Sequence, residues 1–156
     1  HRDLHSFPTR RSSDLSDESV LEIGTGSGYF TAVLSKLADS VVSIEIDQAL
    51  SASATENLKS LNVNNVDLQV SDALTTDFSN QKYDVIVLGC SLNKQSKKLN
   101  ELLNTDGRLF AVIGSKNKMR ATLITRISEN EWQTKSIFET HLDYMKGQEP
   151  TAVFAF

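Results

Sequence analysis

From Ser19 onward the chain alternates two kinds of hydrophobic pattern. Short apolar runs, Val20–Ile23, Val41–Ile46, Val66–Val70, Tyr83–Leu88 and Arg108–Ile113, read as strands. Between them the apolar residues recur with a helical period. Phe30, Val33, Leu34 and Leu37 fall at i, i+3, i+4 and i+7, which predicts a helix burying that face. Asp47 is placed as an N-cap for a second helix, with Leu50, Ala54, Leu58 and Leu61 on one side. Helix signals return over Lys97–Leu103, and Asp106-Gly107 is a turn into the fifth strand. Strands alternating with helices imply right-handed crossovers and an α/β fold, a mostly parallel sheet covered on both faces.

The last third changes rhythm. Ala121–Ile127 and Trp132–Phe138 are strand-like runs joined by Ser128-Glu129-Asn130-Glu131, a spacing that predicts an antiparallel hairpin. Trp132 and Phe138 are expected to turn a hairpin face to the core. Thr151–Phe156 reads as a terminal strand, and the loop Asp143–Pro150, with Gly147 and Pro150, as the most mobile stretch.

Composition narrows the picture. At 156 residues the chain suits one domain, and 39% hydrophobic with 23% charged residues is a globular balance. No apolar run approaches the roughly 20 residues a membrane helix needs, so no membrane partner is expected. A formal charge of -4 argues against a nucleic-acid partner. The lysines Lys94, Lys97 and Lys98 read as a solvated helix face. The single Cys90 forms no internal disulfide, which suits a reducing, cytoplasmic location. Residues 1–16 show neither period and lack the apolar core of a secretory signal. Their run HSFPTRRSSDL resembles a translated sequencing-adapter remnant. They are read as a non-native or disordered tail, with the folded domain at 17–156.

The chemistry gathers on the first strand–loop–helix. Gly24, Gly26 and Gly28 let the backbone turn sharply and approach a ligand where a Cβ would clash. The helix that follows presents free N–H groups and a positive dipole end. The spacing is G-x-G-x-G; a dinucleotide fingerprint sets its third glycine one residue later, which disfavours NAD. No Gly-Lys-Ser/Thr follows for a nucleoside triphosphate. Glu45, 21 residues beyond Gly24 at the end of the second strand, can accept both ribose hydroxyls. Asp72, after the third strand, can accept an adenine amino group, and the Ala73 N–H can face a ring nitrogen. Together these positions describe a site for an adenosine bearing an amino-acid tail.

The run Val20-Leu21-Glu22-Ile23-Gly24-Thr25-Gly26-Ser27-Gly28-Tyr29, with Thr31-Ala32 following, resembles the first motif of class I S-adenosylmethionine-dependent methyltransferases. More narrowly, it resembles the protein-L-isoaspartate (D-aspartate) O-methyltransferase family. Val42-Ser43-Ile44-Glu45, Asn65-Val66, Tyr83-Asp84-Val85-Ile86 and Gly107-Arg108-Leu109 extend the likeness, and Leu123–Arg126, Glu129–Trp132 and Phe138–Thr140 continue it.

The resemblance implies a Rossmann-like, doubly wound, mostly parallel sheet ending in an antiparallel hairpin. It implies S-adenosyl-L-methionine as cofactor and a protein or peptide carrying isoaspartate as partner. Gly24, Thr25, Gly26, Ser27 and Gly28 would hold the methionine moiety, and Glu22 would anchor its amino end through the loop. Glu45 would take the ribose, Ile46 would pack near the adenine, and Asp72 and Ala73 would read the adenine edge.

Three departures stand out. The family's Thr-Ile-Ser-x-Pro-His pattern has no match ahead of the first strand. Gly89-Cys90-Ser91-Leu92-Asn93 replaces an Ala-Ala-rich stretch ending in Pro, and Thr105-Asp106-Gly107 replaces Pro-Gly-Gly. The same fold with another acceptor, and a cofactor-binding domain without turnover, remain open alternatives. Methyl transfer to a carboxylate needs no strong base, because the acceptor is already ionised at pH 7, and no catalytic residue is named. Cys90 is read as a packing residue. His141 lacks a second ligand at metal spacing, so no metal is expected, and His1 and His5 fall in the tail. Ser91 has no nucleophile-elbow context.

Overall fold

A computed structural model describes residues 17–151. The tail at 1–16 and, beyond Thr151, the expected terminal strand lie outside the described residues. The element order is β1 (Ser19–Ile23), α1 (Tyr29–Leu37), β2 (Ser40–Glu45), α2 (Gln48–Ser60), β3 (Val66–Val70), β4 (Tyr83–Leu92), α3 (Lys97–Glu101), β5 (Leu103–Ser115), β6 (Lys118–Ser128) and β7 (Glu131–Glu139). They build one seven-stranded sheet in the order β3-β2-β1-β4-β5-β6-β7. The pairs from β3 to β5 are parallel, and β6 and β7 continue the sheet antiparallel. This is the expected α/β sheet. Its antiparallel end is a three-strand meander, because the turn at 116–117 pairs β6 with β5 as well as with β7.

The sheet's two faces pack separately, as alternation along β1 requires. Leu21 and Ile23 join Ile44, Ile86, Leu88, Leu99, Leu109 and Ile124 on the larger side, which α3 covers. Val20, Val41 and Val85 meet Leu34 and Ala38 of α1 on the other. Glu18, buried beside the start of β1, accepts both Arg108 guanidinium nitrogens at 3.1 and 3.0 Å.

Each long helix buries only part of the face its apolar residues predict: Leu34 in α1, and Ala54 and Leu58 in α2, point inward as expected. In α1 the buried residues are Thr31, Leu34 and Ser35, while Phe30, Val33 and Leu37 stay 45%, 38% and 45% exposed. The Thr31 hydroxyl on the buried face donates to the buried Glu22 carboxylate. In α2, Ser51, Ala54 and Leu58 face inward, and Leu50 and Leu61 do not. The Asp47 cap forms as expected, its Oδ1 accepting from the Ala49 and Leu50 N–H groups at 2.8 and 3.0 Å.

Other differences follow from long-range contacts. β4 runs four residues past the expected Leu88, to Leu92, and α3 stops at Glu101. Asp106 takes a left-handed φ of 65° within β5, where the register with β4 slips. The lysine triplet divides. Lys97 is solvated beside Glu101, whereas the Lys98 ammonium donates to the Ala73, Leu74 and Thr76 carbonyls at 3.3, 2.9 and 2.7 Å. Trp132 packs on the core and donates its indole N–H to the Asn100 carbonyl at 3.0 Å. Phe138 does not follow it: a bulge opposite Ala121 and Thr122 leaves Ile137 and Phe138 outward.

Candidate functional site

β1, β2, β3 and β4 end on the same side of the sheet, and a cavity of about 250 Å³ opens there. That lies at the small end of the range for ligand pockets. Gly24 borders it beyond β1, Glu45 and Ile46 beyond β2, and Ser71, Asp72 and Ala73 beyond β3. Cys90 closes the β4 side.

The glycine loop is held by its neighbours. Gly24, Gly26 and Gly28 have φ of 94°, 56° and 81°, values that side chains with a Cβ rarely adopt. The Gly24 N–H donates to the Ile44 carbonyl at 2.8 Å. β4 approaches so closely that a Cβ on Gly89 would lie 3.0 Å from the Gly24 oxygen. This gives the Gly89 departure a packing role. Gly28 is the left-handed N-cap of α1.

Beneath the loop runs a buried polar chain. The Ser43 hydroxyl donates to Glu22 Oε2 at 2.6 Å, and Thr31 donates to the same oxygen. Ser43 has one proton to give, so at its 2.6 Å contact with Thr25 the Thr25 hydroxyl is the donor. Burial raises the Glu22 pKa above its ordinary 4.5; the Ser43 and Thr31 hydrogen bonds oppose this, and the Glu45 charge adds to it. Glu22 therefore lies under the cradle and does not line the cavity.

Glu45 is buried and already engaged. Its Oε2 accepts from the Gly26 N–H at 2.9 Å and its Oε1 from the Asp47 N–H at 3.0 Å. A carboxylate offers about four lone-pair sites, so each oxygen keeps one beyond the bond just given. Asp72 Oδ1 accepts from the Leu74 N–H at 2.8 Å, which leaves Oδ2 for another donor. The Lys98 ammonium clamps the turn that follows. Ser71 Oγ is buried without a hydrogen-bond partner, an anomaly on a wall of the cavity.

Of the residues expected at the site, Gly24, Glu45, Ile46, Asp72 and Ala73 line this cavity. Gly26 touches it through Glu45, and Thr25 is tied below. Ser27 and Gly28 lie at the helix entry, where the Ser27 carbonyl accepts from Asn57 Nδ2 at 2.9 Å.

The sequence reading missed the roof. Tyr144, Met145 and Lys146 cover the cavity, yet they fall in the stretch expected to be mobile. Ser91 pins that stretch. Its N–H donates to the Asp143 carbonyl at 2.8 Å, its hydroxyl to the Leu142 carbonyl at 2.9 Å, and its own carbonyl accepts from the Met145 N–H at 2.8 Å. A buried methionine beside a short-range breaker was the available signal; its partner, more than 50 residues away, was not.

Cys90 packs on the core, as expected, and also walls the cavity. Burial, then the Glu45 charge, pushes its thiol pKa up to about 11. Among the described residues no group of His, Cys, Asp and Glu could hold a metal ion, and no helix is long and apolar enough to cross a membrane.

The chain resembles known proteins in sequence and in fold. The model of the family "Protein-L-isoaspartate(D-aspartate) O-methyltransferase" matches residues 14–145. A protein-L-isoaspartate O-methyltransferase of Pseudoalteromonas atlantica is 36% identical over 112 residues, 72% of this chain and 52% of that protein. Protein-L-isoaspartate O-methyltransferase 2 of Rhodopseudomonas palustris is 42% identical over 105 residues, 67% of this chain and 48% of that protein. The chain thus spans about half the length of these curated relatives. A solved protein-L-isoaspartate O-methyltransferase superposes with a TM-score of 0.77 at 25% identity, covering 87% of this chain and 44% of that one. A putative one from Plasmodium falciparum, crystallised with S-adenosyl-L-homocysteine, superposes at 0.75 over 83% of this chain and 66% of that one; at 19% identity it speaks for the fold alone. On the family match, which covers most of its length, the chain belongs to the protein-L-isoaspartate (D-aspartate) O-methyltransferase family.

Proposed function

We propose that this chain binds S-adenosyl-L-methionine and directs methyl transfer to the free carboxylate of an L-isoaspartyl residue in a protein or peptide. The observation that carries the reading is the cavity itself. A glycine cradle and the Glu45 carboxylate stand on one side, Asp72 and Ala73 on the other, and Ser71 Oγ is buried between strand ends with no partner. That donor set fits a nucleoside with an amino-acid tail. Family membership and the residues at 31–42% identity in relatives bearing this name support it.

In this reading Glu45 accepts the ribose hydroxyls on its remaining lone pairs while it holds Gly26 in place. Ile46 packs near the adenine. Asp72 Oδ2 and the Ala73 N–H take the base edge, and Ser71 gains the partner it lacks. Residues Gly24 to Gly28 hold the methionine moiety, and Glu22 supports them through Ser43 and Thr25. The cofactor, when bound, supplies an electrophilic methyl group on a sulfonium. The chain's part is alignment and exclusion of water; an acceptor carboxylate ionised at pH 7 asks for no base. The protonated Cys90 suits the same site, because a thiolate there would compete for the methyl group. We place this activity in protein repair in the cytoplasm, where one unpaired cysteine is at home.

Calorimetry with S-adenosylhomocysteine and with NAD tests the cofactor: binding of the first and not the second is expected, and the reverse rejects the reading. Methyl release from an isoaspartyl peptide, set against its aspartyl twin, tests the acceptor. Labelling of the isoaspartyl form alone is expected; equal labelling points to another acceptor, and cofactor binding without labelling points to a binding domain.

A further inference from the structure

A second concavity, about 580 Å³ in volume, lies at the turn between β5 and β6 and the end of β7. Its charge is one-sided. The cations Lys116, Lys118 and Arg120 line it against a single carboxylate, Glu139, with His141 beside them. Arg120 pairs with that carboxylate at 3.1 Å, and among the described residues Lys116 and Lys118 make no ion pair. All three basic side chains of the turn are exposed.

The groove shares the cavity's end of the sheet. β1, β2, β4 and β5 run parallel, so the last residue of β5, Ser115, emerges on the side where the cavity opens. The two are also joined by backbone. His141 lies in the groove and Tyr144 lines the cavity, and the strap between them is the one Ser91 pins. The Tyr144 hydroxyl donates to the Gly114 carbonyl at 3.0 Å, which stitches the strap to the β5–β6 turn.

We propose that this groove binds an acidic stretch of the polypeptide flanking the methyl acceptor. The inference rests on the methyltransferase reading and names the kind of substrate it prefers. The protein as a whole carries -4 and repels an anionic peptide; the groove is where that repulsion is locally reversed. Exposed charges act through solvent and are screened beyond roughly 8 Å at physiological salt, so the preference is strongest at low ionic strength.

The test uses fluorescence anisotropy of two labelled isoaspartyl peptides, one with glutamate flanks and one with lysine flanks, with S-adenosylhomocysteine present. The acidic peptide is expected to bind about five- to tenfold more tightly at low salt, and added salt should erode the difference. The double variant Lys116→Glu/Lys118→Glu should abolish or invert the preference while its calorimetric affinity for S-adenosylhomocysteine stays the same. Equal binding of the two peptides, or a preference that survives charge reversal, overturns the proposal. So does a single-stranded oligonucleotide that binds as tightly as the acidic peptide at the same salt. Absence of S-adenosylhomocysteine binding would instead sink the methyltransferase reading, since the peptide titrations are read separately.

Discussion

β1 and β7 are both short strands of one sheet, and they differ in nearly every physical respect. β1 is central, pairs in parallel on both sides and is buried from Val20 to Ile23. Among the described residues β7 is the edge, pairs with β6 alone and is exposed along almost its whole length. Each β1 side chain meets a neighbour across a packed face, and its carboxyl end lies where strand ends converge on a cavity. The side chains of β7 meet mostly water, and its end borders an open, charged groove. A strand in the middle is constrained in every residue and can hold a ligand in place. A strand at the rim is held by its backbone and leaves its side chains for transient contacts.

Truncation tests this contrast most severely. Leu21→Ala removes a fully buried side chain from β1 and should cost about 2–5 kcal/mol in urea unfolding; a cost under about 0.5 kcal/mol would mean the centre is no better packed than the edge. Next comes Glu45→Ala, at the site the central strands build. It removes an acceptor for the Gly26 N–H and, on the proposed reading, for the ribose, and should weaken S-adenosylhomocysteine binding by about 1.5–3 kcal/mol by calorimetry. Unchanged affinity in a folded variant would withdraw the ribose role.

Glu22→Gln sharpens the comparison through pH. The folded protein binds the Glu22 proton more tightly than the unfolded chain does, because burial raises its pKa. Its contribution is fully present below the ordinary value of 4.5 and is lost as pH rises through the folded pKa. Glutamine keeps an acceptor and carries no such loss. Denaturation from acid to neutral pH should therefore show the variant gaining on the wild type as pH climbs; parallel profiles would contradict the shift. The smallest effect belongs to β7. Ile137→Ala, at a position 44% exposed, should move stability by no more than about 0.5 kcal/mol. A large loss would show that this edge is covered in solution.

The same contrast explains what could be read in advance. The central parallel strands announced themselves because burial on both faces demands near-continuous apolar runs, and β3 at the edge did so by alternation, with Val66, Leu68 and Val70 between polar residues. The glycine loop, the Asp47 cap and the strand-end acid Glu45 were readable because turn and cap chemistry is local. Phe138 misled for the opposite reason: on an edge strand, apolar character does not bring burial, and a bulge can turn the residue outward. α1 misled in part: Thr31 and Ser35 are buried beside Leu34, while Phe30, Val33 and Leu37 are not.

What the sequence by itself determined was the kind of fold, the cradle and the family. These rest on short-range constraints: side-chain period, left-handed glycines, and acids at the ends of strands. The tertiary structure alone decided the rotation of α1, the roof of Tyr144 to Lys146, the solitary Ser71 hydroxyl and the basic groove. Each of these depends on which distant segments the sheet order brings together, and that adjacency has no signature in the spacing of residues along the chain.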